Sequence, residues 1–151
     1  MSGSYPEEMT RDPSDRLRAV VDALPLREGM RVLEIGCGPG AAAREVVRRI
    51  GDGHVHAIDR SPRAIAQAVA GSAAEIASGR LAFEQVAAED FTLPAGRPPF
   101  DLAFAVRVGA LDGRHPEAGR QALSRIAAAL TPAGRLMVGD GAAMAELRLP
   151  R

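Results

Sequence analysis

The residues of this chain whose types and spacing can do chemistry are two acids and a cluster of glycines. Gly36-Cys37-Gly38-Pro39-Gly40 follows an apolar run at 30–35 and precedes an Ala-rich stretch that starts at Ala41. Glycines between a strand and a helix permit a tight turn and let a ligand approach the backbone with no Cβ in the way. Asp59 ends the next apolar run, nineteen residues after Gly40, where an acid can accept both hydrogen bonds of a ribose diol. A glycine turn with an acid about twenty residues further on points to a nucleoside cofactor. Gly36 to Ala41 also fits G-x-G-x-x-A, so nicotinamide and flavin cofactors stay in the comparison. Glu34 weighs against them. A carboxylate beside the loop repels a pyrophosphate and suits a cationic ligand that carries an amino group.

These groups need elements to hold them. Asp12-Pro13-Ser14-Asp15 reads as a helix start, and Leu17, Val20, Val21 and Leu24 follow at helical spacing until Pro25. Short uninterrupted apolar runs at 30–35, 54–58, 81–87, 100–106 and 135–138 read as strands. Between them the pattern predicts helices over 41–50, over 61–78 with a Ser61-Pro62 start, and from His115-Pro116-Glu117 to 130. Strands this apolar, alternating with helices, belong in a parallel sheet covered on both faces. The fold class is therefore α/β: a doubly wound, mainly parallel sheet of about five strands. Residues 1–11 carry no periodicity and are expected to form an arm, with residues 12–151 as one domain.

Composition narrows the function. The chain has 151 residues, 46% of them hydrophobic, and its charges balance to zero, which argues against a nucleic-acid surface or a polybasic membrane patch. All nineteen cations are arginine, so mechanisms that need a catalytic lysine are excluded. A single cysteine, Cys37, excludes an internal disulfide and fits a reducing compartment. No apolar run reaches eighteen residues and the N-terminus is polar, so the expectation is a cytoplasmic protein without a membrane span. His54 and His56 alternate on the second strand without further metal ligands nearby in sequence, and no metal is expected.

The run Val32-Leu33-Glu34-Ile35-Gly36-Cys37-Gly38-Pro39-Gly40 closely resembles motif I of the class I S-adenosylmethionine-dependent methyltransferases. The resemblance extends from about Asp12 to Asp140. It implies a Rossmann-like sheet in the order 3-2-1-4-5, with S-adenosyl-L-methionine as cofactor and S-adenosyl-L-homocysteine as product. It also implies that Glu34, Gly36, Cys37, Gly38 and Gly40 hold the methionine part and Asp59 the ribose. Val86-Ala87-Ala88-Glu89-Asp90 looks like the segment commonly written G-D-A-E-D, which reads the adenine. Ala87 stands where that segment has its aspartate, which leaves the Ala88 amide and Glu89 to read the ring and the stem of Arg60 to wall it. Val106, the last residue of the fourth strand, leads into the loop that in this family faces the sulfonium.

That loop, 107–115, is where a methyl acceptor belongs, and a small molecule is the expected acceptor. It offers His115 as a proton acceptor and Asp112 as an orienting acid, although His115 directly before Pro116 reads better as a helix cap. The family sheet usually continues past strand five with a helix and two more strands, whereas this chain runs only eleven residues beyond Asp140. That predicts an open edge at strand five, and hence a homodimer through that strand or the tail. Two other functions fit the same residues: a non-catalytic cofactor-binding module or partner subunit, and an oxidoreductase using NAD or flavin.

Overall fold

Strand β1 (Arg31–Ile35) is buried from Val32 onward, as a central strand covered on both faces must be. The computed structural model describes residues 13–108, 111, 114–139 and 143–150. The expected arm, the Asp12 cap, Asp112 and Asp140 lie outside the described residues. In chain order the other elements are α1 (Pro13–Asp22), α2 (Ala41–Arg49), β2 (His54–Asp59), α3 (Pro62–Ala70), α4 (Ala73–Ala77), β3 (Leu81–Gln85), β4 (Phe100–Val106), α5 (Pro116–Ala129), β5 (Leu130–Gly139) and β6 (Met144–Leu147). α1 precedes β1, and a 3-10 turn at Ala88–Asp90 follows β3.

The strands form one six-stranded sheet in the order β3-β2-β1-β4-β5-β6. Every pair is parallel except β5 with β6. Successive side chains of a strand point to opposite faces, and β1 shows it. Val32 packs into one core with Val21, Leu24, Val46, Val47 and Phe104, while Leu33 and Ile35 pack into the other with Phe91, Phe100, Ile126 and Leu136. Helices α1 and α2 cover the first face, and α5, through Ala122, Ile126 and Ala129, covers the second. The doubly wound arrangement expected from the sequence is present, with strand order 3-2-1-4-5 extended by one strand.

Three expectations need correction. The helix expected over 61–78 is two helices, α3 and α4, broken at Gly71 and Ser72. Ser61 does cap its start, its Oγ accepting from the Ala64 amide at 3.1 Å. The break has a tertiary cause: Ser72 is fully buried, and its Oγ accepts a hydrogen bond from the Arg44 guanidinium at 2.8 Å. Strand β5 is longer than expected, because Leu130 already pairs with Phe100 before the register shifts to Leu102 with Arg135. Residues 131–134, read as a turn, sit inside that irregularity. The third correction concerns the edge. β5 is not exposed, since Leu136 to Gly139 pair antiparallel with Met144 to Leu147. Met144 packs against the first core, and Leu147 and Leu149 against the second.

Candidate functional site

The glycine turn sits where β1 hands over to α2, at the carboxyl ends of the parallel strands. Its first two amides, from Gly36 and Cys37, both donate to the Ile58 carbonyl, at 2.8 and 2.9 Å, so the turn is anchored on β2. Gly36 has φ 71° and Gly38 has φ 53°, a left-handed backbone that side-chain-bearing residues rarely adopt. A Cβ on Gly36 would lie 2.6 Å from a methyl of Val108, while one on Gly38 would enter open space. The second glycine therefore leaves its backbone open to a ligand. Gly40 differs: it is the left-handed N-cap of α2, with Phe83 and Ala68 about 3 Å from where its Cβ would stand. It packs the helix start and lines neither of the two cavities described next.

Asp59, at the end of β2, ties this turn together. Its Oδ2 accepts from the Gly38 amide and its Oδ1 from the Ser61 amide, both at 2.9 Å. An ionised carboxylate offers about four acceptor positions, so two remain for a ligand. Glu34 is in the opposite condition. It is buried, and its Oε1 has no hydrogen-bond partner. Burial, and then the nearby charge of Asp59, push its carboxyl up to about 8. A carboxyl in that position gains strongly from a cationic partner. Cys37 is also buried. Burial, with Glu34 and Asp59 next in weight, pushes its thiol up to about 12, which makes it a packing residue and no nucleophile.

Two cavities meet at this turn. One of about 500 Å³ is lined by Gly36, Asp59, Arg60, Ala88, Glu89, Val106 and His115, among others. The second, of about 260 Å³, is lined by Glu34, Gly36, Cys37, Gly38 and Val106 together with Arg16, Leu17 and Val20 of α1. Gly36, Val106 and Arg107 border both. A third cavity of about 690 Å³ adjoins them at Arg107 and Val108 and is otherwise lined by Ala105, Leu111, Arg114, Val138 and Gly139. The structure thus brings together every expected cofactor residue except Gly40.

His115 requires a correction. It does occupy the N-cap position of α5, but its side chain makes no capping hydrogen bond. Its carbonyl accepts from the Gly119 amide at 2.8 Å, and the exposed imidazole borders the 500 Å³ cavity. Two contributions escaped the sequence reading. The α1 residues at the second cavity looked only like an amphipathic face, and nothing local marks them otherwise. Arg107 carries a signal visible only in the backbone: φ 56°, the one positive φ outside glycine among the described residues. Such a conformation costs on the order of 1–3 kcal/mol. It turns the chain at the end of β4, where all three cavities meet.

The arrangement has known counterparts. A family model described as "Methyltransferase domain" matches residues 32–134. The chain is 35% identical over 135 residues to the 27-O-demethylrifamycin SV methyltransferase of Amycolatopsis mediterranei, covering 89% of this chain and 46% of that protein. It is 32% identical over 134 residues to the trans-aconitate 2-methyltransferase of Methylobacterium nodulans, covering 89% and 45%. Among solved structures, phosphoethanolamine N-methyltransferase 2 of Haemonchus contortus, in complex with phosphomonomethylethanolamine and S-adenosylhomocysteine, matches with a TM-score of 0.66. That match is 26% identical and covers 83% of this chain and 28% of that one. The chain spans about half the length of the curated relatives it matches. With the glycine turn and the paired acids inside the matched span, the chain belongs to the methyltransferase-domain family.

Proposed function

We propose that residues 12–151 form one S-adenosylmethionine-binding domain that transfers a methyl group to a small-molecule acceptor. The observation that carries this reading is Glu34, a buried carboxyl with an unpartnered oxygen on the wall of the cavity formed by the glycine turn and α1. An amino-acid ammonium supplies the missing partner and favours the charged carboxylate, whereas a pyrophosphate has no cation to offer it. The residues present fit the rest of the cofactor as well. Open space over Gly38 admits a ligand against the backbone, and Asp59 keeps acceptor capacity for a ribose diol. The walls from Arg60, Val86 and Ala88 leave room for an adenine.

When bound, this cofactor supplies an electrophilic methyl carbon on a sulfonium, transferred in line to a nucleophile. The chain's part is then alignment and exclusion of water, which can supply much of the rate. The apolar walls from Ala105, Val108, Leu111 and Val138 serve that purpose in the third cavity. Arg107 and Arg114 on the same walls suit an acidic acceptor of the kind for which the trans-aconitate relative is named. His115 stands at the 500 Å³ cavity, where it can take a proton from an acceptor that carries one. A cytoplasmic location fits the single buried thiol, and no described helix is long and apolar enough to cross a membrane. Since β6 covers the β5 edge, a homodimer would form through the tail that carries β6 and not through an open β5.

The experiment is formation of S-adenosylhomocysteine from S-adenosylmethionine across a panel of small carboxylic acids, phenols and amines. Turnover that requires one acceptor class supports the proposal. Binding of the cofactor without turnover on any member would favour the non-catalytic module.

A further inference from the structure

A second cluster of chemistry-bearing side chains lies at the other end of the sheet. Arg31 opens β1, His54 opens β2 and Ala82 lies near the start of β3; with His56, Pro94, Arg97 and Phe100 they line a cavity of about 110 Å³. Strands rise about 3.3 Å per residue, so His54 stands about 16 Å along β2 from Asp59, well away from the glycine turn. The cavity is too small for a nucleoside but exceeds the roughly 30 Å³ share of one water.

Its lining carries two arginines and two histidines and no carboxylate. Burial and Arg97 depress Arg31, with Asp101 acting the other way; burial, Arg31, His56 and Arg97 depress His54, which is held neutral down to about 4. The carboxylates that face the cluster are already engaged. Glu84 on β3 meets His56 Nε2 at 2.8 Å, and Asp101 on β4 accepts the Arg31 backbone N–H at 2.9 Å. The Arg31 guanidinium is fixed in place, with Nε donating to the Pro98 carbonyl at 3.3 Å and Cζ 5.5 Å from the centre of the Phe100 ring. The His56 ring also makes tilted contacts with Phe91 and Phe100. Against this background His54 Nδ1 is buried without a hydrogen-bond partner. Among the described residues no group of three or more His, Cys, Asp or Glu side chains is placed to hold a metal ion.

We propose that this cavity binds a phosphate group, free or at the end of a small organic molecule, between Arg31, Arg97 and the His54 imidazole. Two arginines and one titratable ring from separate segments converge on a space of that size, and a dianion relieves the mutual repulsion of the cations. The site is independent of the cofactor reading, because no residue is shared with the cavities at the glycine turn.

The test follows the His54 ring by two-dimensional NMR at pH 6.5. Inorganic phosphate and glycerol 3-phosphate are titrated against sodium chloride of equal ionic strength. A saturable His54 shift in either phosphate arm, with a dissociation constant of about 1 mM or below, is expected. A stronger response to inorganic phosphate assigns a free ion, and a stronger response to glycerol 3-phosphate assigns a phosphomonoester. Arg97→Ala, at an exposed loop position, should weaken the response at least tenfold and leave S-adenosylhomocysteine binding unchanged. In phosphate the pH at which His54 titrates should rise by one unit or more. Shifts equal to those in chloride, or shifts that survive Arg97→Ala, would overturn the proposal.

Discussion

Glu34 stands close enough to Asp59 to feel its charge, yet the two acids are held by opposite means. Asp59 has two backbone amides and Glu34 has an unpartnered oxygen. The consequence for stability has a definite sign. An unfolded glutamate releases its proton near pH 4.3, whereas folded Glu34 holds it to about 8. The folded state therefore binds the extra proton across that window, and stability falls as pH rises from about 4.3 to 8. Glu34→Gln removes this decline. Thermal unfolding at pH 8 should show the variant more stable by about 4–5 kcal/mol, a Tm rise of about 8–20 °C, with little difference at pH 4. Asp59→Ala acts the other way. It strips acceptors from the Gly38 and Ser61 amides, so a stability loss of about 1–3 kcal/mol is expected together with at least tenfold weaker S-adenosylhomocysteine binding. Denaturant melts and calorimetry on the same sample separate the two effects. Both acids and the glycine turn were legible in the sequence because strand, turn and acid are local and their spacing carries the chemistry. The walls from α1 were not, since only tertiary packing brings Leu17 and Val20 beside Glu34.

Elements were legible to the extent that their cause is local. β4 was read with its observed bounds, because seven residues almost wholly buried leave no polar face to blur the pattern. The α3–α4 break was not, because an Ala-rich helical pattern runs straight through it and the reason for stopping lies 28 residues away in Arg44. That makes the break testable. Ser72→Ala removes the acceptor from a charged donor that also holds the Pro39 carbonyl at 3.0 Å, so the bond couples the α3–α4 junction to the glycine turn. A loss of about 1–3 kcal/mol is expected in urea unfolding. Raised hydrogen exchange should be confined to residues around 37–44 and 70–78. An unchanged midpoint would mean that Gly71 alone sets the break.

At the scale of the whole molecule, β6 changes what the sheet presents to solvent. It is short, it carries Glu146 paired with Arg135 at 3.0 Å, and Pro150 follows closely, features that discourage edge pairing. Light scattering at micromolar concentration should give a mass near 15.8 kDa for this chain, and twice that value would restore the dimer. The tail had no strong period to announce a strand, because four residues, none of them buried, become one only when β5 is there to pair with them. The central claim is that the buried acid at the glycine turn selects a cationic amino-acid cofactor over a dinucleotide. The most direct measurement is calorimetric titration of the chain and of Glu34→Gln with S-adenosylhomocysteine and with NAD, from pH 6 to 8. The expected result is binding of S-adenosylhomocysteine alone, strengthening by up to about tenfold per pH unit as Glu34 ionises, with that pH dependence absent in Glu34→Gln. Tighter binding of NAD, or S-adenosylhomocysteine binding indifferent to both pH and the substitution, would contradict it.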